Sequence, residues 1–202
     1  YPEERQKQFI DTIYRQTGRL VKMVNELLDL ARIEARAGKD FVIEVLDVAP
    51  MVRETVEALC LRDDPRTPEI HLPDGLPQVA VDAEKYRQAL MNVLSNAYKY
   101  SPKGSLVRIS GAQRIDGGRR QVGIAVEDHG MGMTPEQVAR AFERFFRADE
   151  SGNIPGTGLG LCLVKEIMEL QGGSVELSSE YGVGTRVVLW LSAAEANEAL
   201  AA

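Results

Sequence analysis

The sequence predicts an α+β sandwich, in which helices cover one face of a β-sheet. Helical apolar periodicities alternate along the chain with short strand-like runs. The strand-like runs of the second half come in neighbouring pairs joined by glycine-containing turns, which favours antiparallel hairpins. With 202 residues, of which 44% are apolar, the chain is long enough to bury a core between such layers.

Residues 1 to about 37 predict one long helix, and Gly38 is its expected C-terminal stop. Its apolar positions recur at spacings of three and four, like the a/d seam of a coiled coil. The seam consists of Ile10, Ile13, Thr17, Leu20, Val24, Leu27 and Ala31. Because the helix cannot bury a narrow seam alone, we favour a helical hairpin or a homodimeric bundle over packing on its own domain.

Between this helix and residue 100 the sequence predicts short strands alternating with helices. In order they are a strand at 41–47, a helix at 50–61, a Pro- and Asp-rich loop at 63–68, a short strand around Ile70, an extended segment before Asp82 and a helix at 82–100. Asp82 can cap the last helix with its side chain, and Ser101-Pro102 stops it.

The second half predicts two hairpins separated by a loop region and a helix. In order they are strands at 106–111 and 121–127 joined by Asp116-Gly117-Gly118, a segment at 135–155, a helix at 159–170 closed by Gly172-Gly173, and strands at 174–179 and 185–191. The Ala- and Glu-rich last ten residues are expected to fray.

Charge and composition narrow the classes of function. The net charge of −6 leaves no basic excess for a nucleic-acid backbone, although it is compatible with a local positive site for a nucleotide. Cys60 and Cys162 lack metal-ligand spacing, and we interpret them as buried, reduced thiols, which fits the cytoplasm. No apolar run approaches membrane-spanning length. The chain opens inside a helical pattern, so we expect it to be part of a longer protein.

The predicted helix at 82–100 has two distinct faces. Asn92, Asn96 and Lys99 lie on one of them, about one turn apart. They suit an anionic ligand with its metal, because an amide oxygen is a hard, neutral ligand for Mg²⁺ and Lys99 adds positive charge. On this helix alone, a solvated polar face is an equally good interpretation. The other face is an apolar stripe formed by Tyr86, Leu90, Val93 and Ala97.

The strand at 121–127 leads into an acidic residue on its apolar side, because Asp128 continues the face of the alternating apolar residues. Those residues are Val122, Ile124 and Val126. An isolated carboxylate is costly to bury there, so Asp128 needs donors. The amino group of a purine is one candidate, and a backbone cap is the alternative. Gly130 and Gly132 would let the chain turn sharply and approach a flat base.

The glycine-rich stretch 156–161 leads directly into a helix, and free N–H groups at a helix start favour phosphate binding. It is not a Walker motif, because no Gly-Lys-Ser/Thr follows, and no strand immediately precedes it as in a Rossmann fingerprint. Upstream, three phenylalanines within 142–146 recur at helical spacing and predict a small packed helix. The polar stretch 148–155 suits a mobile lid, and Arg147 at its base could reach a terminal phosphate.

In this order and spacing, the segments resemble the sequence boxes of sensor histidine kinases. The correspondences are 92–102 with the N box, 128–132 with the G1 box, 142–147 with the F box, 156–161 with the G2 box and 182–185 with the closing glycine turn. The resemblance covers roughly 41–191. It implies the Bergerat (GHKL) sandwich, a mixed sheet with helices on one face and ATP between helices and lid. The first helix resembles the second helix of the dimerisation and phosphotransfer hairpin.

The resemblance also implies roles for individual residues. Asp128 would accept a hydrogen bond from the adenine amino group, and Asn96 would hold Mg²⁺. The residues implied in catalysis are Asn92 and Lys99, which would contact phosphates, and Arg147, which would help to place the γ-phosphate. The remaining residues implied to bind the nucleotide are Tyr100 beside the adenine, Gly130 and Gly132 of the G1 box, and Gly156, Thr157, Gly158, Leu159, Gly160 and Leu161 of the G2 box.

The implied activity is transfer of the γ-phosphoryl group of ATP to a histidine, for relay to a response-regulator aspartate. Positioning and charge neutralisation would supply most of the catalysis. The implied partners are the phosphoacceptor helix of the same or a partner subunit, a receiver domain and a second copy of the protein. We expect no nucleic acid and no membrane contact by this segment, which would be the cytoplasmic portion of a membrane-anchored sensor.

Two departures from the family pattern bear on the activity. The phosphoacceptor motif, a His followed by Glu or Asp and then Pro, is absent, and neither His71 nor His129 lies on a predicted bundle helix. We therefore expect the acceptor helix to precede residue 1. ATP-hydrolysing relatives, such as gyrase and the heat-shock chaperone ATPases, carry a Glu four residues before the metal Asn. Asn92 stands there and cannot act as a carboxylate base, which favours a kinase over an ATPase.

A third possibility is a nucleotide-binding module without catalysis, acting as a sensor or scaffold. The N box and the lid are complete in sequence, so we prefer the kinase. The predicted domains are the hairpin helix at 1–38, the ATP-binding domain at 41–192 and a tail at 193–202.

Overall fold

The structure is a computed structural model and describes residues 2–60, 67–149 and 154–194. The helices are α1 (Glu3–Arg36), α2 (Val48–Cys60), α3 (Ala83–Tyr100), α4 (Pro135–Arg140) and α5 (Gly160–Leu170). The strands are β1 (Glu44–Leu46), β2 (Glu69–His71), β3 (Val79–Val81), β4 (Val107–Asp116), β5 (Arg119–Asp128), β6 (Ser174–Glu180) and β7 (Gly184–Ser192). Most of the predicted loop at 63–68, the Cys60 side chain, the middle of the predicted lid and the tail from 195 lie outside the described residues.

Five strands form one mixed sheet in the order β2-β4-β5-β7-β6. β2 runs parallel to β4, and the other neighbours are antiparallel. The two predicted hairpins are the β4–β5 and β6–β7 pairs, and Gly117-Gly118 has positive φ at both residues, as a two-residue hairpin turn requires. β1 and β3 form a separate antiparallel pair. The mixed sheet and its helices confirm the predicted α+β class.

Helices α3 and α5 pack on one face of the large sheet, and α2 packs against α3. The apolar stripe predicted for α3 is buried, as are Ile124 of β5 and Leu189 of β7 in the same core. Asp82 caps α3 as predicted, because its side chain accepts from the N–H of Lys85. The opposite face of the sheet carries a small cluster of Ala125, Val188 and Trp190. These contacts fix one end of α3 beside the end of β5.

The long helix α1 has two faces with different surroundings. Its C-terminal part docks on the domain through Leu30 and Ile33, which join the main core. The helix ends at Ala37, which has a φ of 47°, one residue before the predicted stop at Gly38. Among the described residues, no helix combines the length and apolar character needed to cross a membrane. The predicted seam stays open, because its large apolar members are 36–65% exposed, namely Ile10, Ile13, Leu20, Val24 and Leu27.

The small helix predicted from Phe142, Phe145 and Phe146 is wrong. α4 ends before this segment, and the residues that follow it form consecutive turns. Phe145 has a φ of 64° and donates its N–H to the carbonyl of Gly158 at 2.9 Å. Since a left-handed residue interrupts an α-helix, this tertiary hydrogen bond prevails over the helical spacing of the aromatic residues.

Candidate functional site

An open cleft lies beside α3, between the end of β5, the start of β7 and the start of α5. Its empty volume is about 1050 Å³, including space open to solvent, which is ample for a nucleotide-sized ligand. All the site residues predicted from the sequence line this cleft except Gly130 and Leu159. Four segments that are far apart in sequence therefore meet at one place, as their order predicted.

The polar face of α3 forms one wall of the cleft, with Asn92, Asn96 and Lys99 half-buried in it. It is therefore a cleft wall rather than a freely solvated face. Burial lowers the pKa of Lys99, and the positive charge of Lys22 lowers it further, whereas Glu26 acts in the opposite direction. A partly buried cation with further cations nearby favours an anionic ligand at this end of the cleft.

Asp128 lies at the end of β5 and lines the cleft, and it is paired with Val107 of β4 and Thr185 of β7. The side chain is 8% exposed, and its Oδ1 accepts the N–H of Gly130 at 2.8 Å. Burial raises the pKa of Asp128, while the backbone N–H groups of Gly130 and Thr185 act to lower it. The backbone cap considered from the sequence is thus present. A carboxylate has about four acceptor sites, so the cap leaves capacity for a further donor.

The glycines after Asp128 are required by close approach of backbone segments. A Cβ on Gly130 would lie 2.4 Å from the carbonyl oxygen of Tyr100, and one on Gly132 would lie 1.9 Å from that of Glu180. Met131 also donates its N–H to the Tyr100 carbonyl at 3.2 Å. Gly132 lines the cleft, whereas Gly130 acts behind it by joining the end of β5 to the end of α3. A side chain at either position would push the two walls apart.

The glycine-rich segment joins the cleft to the F-box turn and to α3. Gly158 has a φ of 77°, and a Cβ there would lie 2.5 Å from the backbone of Phe145. Gly160 begins α5 beside Asn92, since a Cβ there would lie 3.6 Å from the Asn92 Oδ1. Leu159 is 1% exposed and anchors the segment in the core, so it supports the cleft without lining it. The start of α5 has no side-chain cap, which suits an anion at its N–H groups.

Arg147 stands at the base of the predicted lid and lines the cleft. Its guanidinium donates to the carbonyl of Ile154 and lies 3.5 Å from Asp149, whose carboxylate accepts the Ile154 N–H at 3.1 Å. Within the described part of the chain, the buried Nε of Arg147 has no hydrogen-bond partner. The same loop is tied to α4 by Gln137, which donates to the Ala148 carbonyl at 3.2 Å. Residues 150–153 of the lid lie outside the described residues.

The structure adds charged residues from α1 that the sequence did not reveal. Lys22 and Glu26 line the cleft, and Arg19 donates to the carbonyl of Gly156 at 3.1 Å. The hydroxyl of Thr157 donates to Glu26. The apolar seam dominates the pattern of α1, but a second stripe runs at spacings of three and four from Arg19 through Lys22 and Glu26 to the buried end of the helix. The sequence therefore did contain a pattern, this second stripe, that indicates a second contact face on α1.

Apolar side chains complete the cleft on the side of the sheet, and none of them was predicted as a site residue. They come from the end of β5, the segment after it and the last hairpin, and include Val126, Met131, Leu177 and Val187. Tyr100 lies at the end of α3 next to this surface, and burial raises its pKa. A flat apolar group next to a buried carboxylate is the chemistry that such a surface accommodates.

Comparison with known proteins agrees with this geometry. The family described as histidine kinase-, DNA gyrase B- and HSP90-like ATPases matches residues 81–195. The His kinase A (phospho-acceptor) domain family matches residues 2–36. The structure of the mycobacterial sensor histidine kinase MprB is 30% identical with a TM-score of 0.62, and the match covers 75% of this chain and 98% of that one. The chain belongs to the sensor histidine kinases.

Other sensor histidine kinases match almost the whole chain. SenX3 of Mycobacterium tuberculosis is 35% identical over 191 residues, which are 93% of this chain and 45% of the relative. The crystal structure of full-length ShkA in complex with AMPPNP is 30% identical with a TM-score of 0.74, and covers 95% of this chain and 40% of ShkA. The chain spans less than half of the length of the curated relatives it matches. Residues 81–195 match the family model of the ATP-binding domain.

Proposed function

We propose that this chain performs the ATP-dependent step of a protein-histidine kinase, the transfer of the γ-phosphoryl group to a histidine. The observation that supports this most directly is the meeting of a buried carboxylate with two carboxamides and an ammonium group at one cleft. They are Asp128 at the end of β5 and Asn92, Asn96 and Lys99 on the polar face of α3. ATP offers both kinds of partner, because its purine amino group suits the buried acceptor and its phosphate oxygens suit the polar and cationic groups.

At the base end, Asp128 would accept from the adenine amino group with the capacity that its Gly130 cap leaves over. Tyr100 and the apolar residues of the sheet would pack against the ring. Gly132 would keep the wall close to the base, while Gly130 would hold the turn in place. In this arrangement Gly130 would contribute to binding through the position of the turn, without lining the cleft.

At the phosphate end, Asn92 and Lys99 would contact phosphate oxygens, and Arg147 would help to place the γ-phosphate. Among the described residues the Nε of Arg147 has no hydrogen-bond partner, which fits an anion beside it. Gly156, Thr157, Gly158, Gly160 and Leu161 would form the phosphate side of the cleft, with the start of α5 turned toward the anion. Leu159 would fix this segment to the core.

Asn96 would hold Mg²⁺. The described residues contain no group of three or more His, Cys, Asp or Glu side chains that could bind a metal alone. An amide oxygen that shares the ion with phosphates and water fits this donor set, because Mg²⁺ usually keeps several waters at nucleotide sites. When bound, the ion would neutralise charge on the β- and γ-phosphates during transfer. The protein would contribute the positions of Asn92, Lys99 and Arg147 around those phosphates.

The acceptor would be a histidine on a helix packed beside α1, in the same subunit or a partner subunit. The chain's own histidines do not suit this role, since His71 lies in β2 and His129 follows β5. In this assignment 1–38 is the second hairpin helix, 41–192 the ATP-binding domain and 193–202 a tail. The phosphoryl group would pass on to the aspartate of a receiver domain. We place the chain on the cytoplasmic side of a membrane-anchored sensor, where ATP is supplied.

The direct test is to mix the chain with ATP labelled at the γ-phosphate and a separate two-helix domain of a sensor histidine kinase that carries the acceptor histidine. Acid-labile label should appear on that domain. At ATP concentrations below saturation Asp128→Asn should reduce the labelling, whereas Asp116→Asn, at an exposed carboxylate of the β4–β5 hairpin, should leave it intact. ATP binding without labelling of any cognate hairpin would argue for a non-catalytic nucleotide-binding module instead.

Asn92, which faces the start of α5, disfavours ATP hydrolysis as the function of this chain. Hydrolysis needs a group that activates water, and the amide of Asn92 has no basic carboxylate to offer. Phosphate release in the absence of any acceptor domain should therefore stay close to background.

A further inference from the structure

Glu26 of α1 lies among the positive charges at the phosphate end of the cleft. Its Oε1 is 3.6 Å from the Nζ of Lys22, and its carboxylate also accepts from the hydroxyl of Thr157. The side chain of Glu26 is 15% exposed, whereas that of Lys22 is 58% exposed. Glu26 is thus a largely enclosed carboxylate that comes from outside the ATP-binding domain and reaches its glycine-rich segment.

The charges around Glu26 are those that a triphosphate would need. Lys22, Lys99 and Arg147 all line the cleft. Of the two α1 charges there, Lys22 lowers the pKa of Lys99 and Glu26 raises it. A carboxylate and a phosphate present the same kind of anionic oxygen to such cations. A second anion beside the Glu26 carboxylate would be repelled by it. The repulsion would be strong, because the site is partly shielded from water and screening there is weak.

We propose that the Glu26 carboxylate takes the place of a phosphate in the cleft, so that α1 and the triphosphate of ATP compete for Lys99 and Thr157. This inference rests on the proposed ATP site. In docked α1, the Glu26 charge acts on Lys99 and the carboxylate accepts from the Thr157 hydroxyl. A triphosphate replaces the carboxylate at these two groups and drives this part of α1, Lys22 included, away.

Two consequences follow from the competition. Glu26 lowers the affinity of the site for nucleotides in proportion to their phosphate charge, and so makes the site discriminate among ATP, ADP and adenosine. By thermodynamic reciprocity, a nucleotide that binds more weakly to the α1-docked state must weaken the docking of α1 by the same factor. The nucleotide site and the hairpin helix are thereby coupled through one side chain.

The test is calorimetric titration of the chain with ATP, ADP and adenosine for the wild type, Glu26→Gln and Asp11→Asn. Asp11 is the matched control, because it is an exposed carboxylate on the same helix outside the cleft. Glu26→Gln should tighten ATP binding about three- to tenfold, tighten ADP binding less and leave adenosine unchanged. The gain should shrink as salt is added. Asp11→Asn should match the wild type for all three ligands.

The outcomes separate this inference from the ATP site itself. Unchanged or weaker ATP binding in Glu26→Gln, or an equal gain for adenosine, would overturn the role of Glu26 while leaving the site in place. Absence of ATP binding in every variant would overturn the site and the inference together.

A second measurement needs no variant and therefore does not depend on Glu26→Gln folding well. Amide hydrogen exchange of wild-type peptides covering 19–28 should become faster with saturating ATP and stay unchanged with saturating adenosine. Unchanged or slower exchange with ATP would contradict the competition. Exchange that adenosine accelerates equally would assign the movement to base binding and would also overturn the inference.

Discussion

Asp128 illustrates how a single residue can serve fold and ligand together. It ends β5 on the face that otherwise carries core side chains, and burial raises its pKa. The Gly130 N–H, held by Oδ1, compensates part of the cost of burying the carboxylate. The Thr185 N–H acts in the same direction. A carboxylate has about four acceptor sites, so these bonds leave capacity for an adenine amino group.

Replacing Asp128 with Asn should weaken ATP binding by about 1–3 kcal/mol, the scale of a spoiled hydrogen bond to a buried charged group. The amide keeps one acceptor but places an NH₂ where the cap or the purine donates. Calorimetry on the variant and on Asp116→Asn measures the difference. Equal affinities for the two variants would remove Asp128 from the site.

Lys99 should show opposite effects on binding and on stability. Lys99→Met should weaken ATP binding about tenfold or more, since hydrogen bonds to charged groups contribute about 1.5–3 kcal/mol. It should also raise the free energy of unfolding at neutral pH, because a half-buried cation beside Lys22 and Arg147 is removed. ATP titration and urea unfolding test both effects.

The pH dependence of this stability follows from the same shift. The folded state lowers the pKa of Lys99, so the cost of its charge is fully present below that lowered pKa and is relieved as pH rises toward the unfolded value. Between the two values the unfolded state binds more protons, and stability therefore rises with pH. The gain from Lys99→Met should accordingly shrink in this alkaline window. A variant less stable than the wild type would contradict the account.

At the cleft, some glycines allow backbone segments of different elements to approach each other closely. Gly132 and Gly182 both have positive φ, at 61° and 81°, but their surroundings differ. A Cβ at 132 would meet the Glu180 carbonyl, whereas a Cβ at 182 would meet nothing within 4 Å. Substituting alanine at each of these two glycines therefore measures two effects on stability separately. At Gly182 only the positive φ is unfavourable, whereas at Gly132 the new Cβ also clashes with backbone.

Gly182→Ala should lower the free energy of unfolding by about 1–2 kcal/mol, the cost of a left-handed alanine. Gly132→Ala should cost clearly more, because the β6–β7 turn must also move away from the strand-end segment. It should weaken ATP binding as well, which Gly182→Ala should not. Urea unfolding and ATP titration measure the two effects, and similar losses in both variants would refute the crowding argument.

The docking of α1 depends on its C-terminal part. Ile33 is 3% exposed in the main core, whereas Ile13 is 64% exposed on the seam of the same helix. Ile33→Ala should lower the free energy of unfolding by about 2–5 kcal/mol, as for other large-to-small core changes. Ile13→Ala should have little effect at concentrations where the chain is monomeric. Denaturant unfolding of both variants provides the comparison, and equal losses would mean that α1 is not docked as described.

The sequence predicted the type and order of most elements because they carry local signals, but it did not predict α4 at Pro135–Arg140. Asp82 caps α3, Gly117-Gly118 turns the first hairpin, and the apolar stripe of α3 marks its buried face. The predicted helix through Phe145 was wrong because Phe145 donates its N–H to the carbonyl of Gly158, which is distant in sequence, and adopts a left-handed backbone there. Local periodicity contains no information about such a partner.

The candidate site could be predicted as a set of residues but not as a geometry. Position along the chain did not reveal that Gly130 acts behind the cleft or that Leu159 anchors it from the core. Glu26 escaped prediction because its partner, Thr157, lies 131 residues away. The assigned roles of the site residues toward ATP and Mg²⁺ stay predictions.

At the scale of the whole molecule, the open seam of α1 is a large apolar surface on an otherwise ordinary acidic protein. Its exposed members form a continuous stripe at coiled-coil spacing, including Ile13 and Leu20. Single exposed apolar residues need no explanation, but a contiguous stripe marks an interaction surface. A second copy of the helix or a preceding hairpin helix would cover it.

We predict that the chain self-associates through this seam as its concentration rises. Leu20→Glu should abolish the association, because it buries an unpaired charge in the interface. Lys7→Glu, a substitution outside the seam on the same helix, should have a smaller effect. Sedimentation velocity over a concentration series measures this, and a wild-type monomer throughout would contradict the prediction.

We expect a purine nucleotide to span the cleft from Asp128 to the polar face of α3. The most direct measurement is a crystal structure of the chain with a non-hydrolysable ATP analogue and Mg²⁺. The account predicts the adenine amino group within hydrogen-bonding distance of Asp128, the metal on Asn96, and phosphates beside Lys99 and the start of α5. Nucleotide bound elsewhere, or an adenine whose amino group has no contact with Asp128, would contradict it.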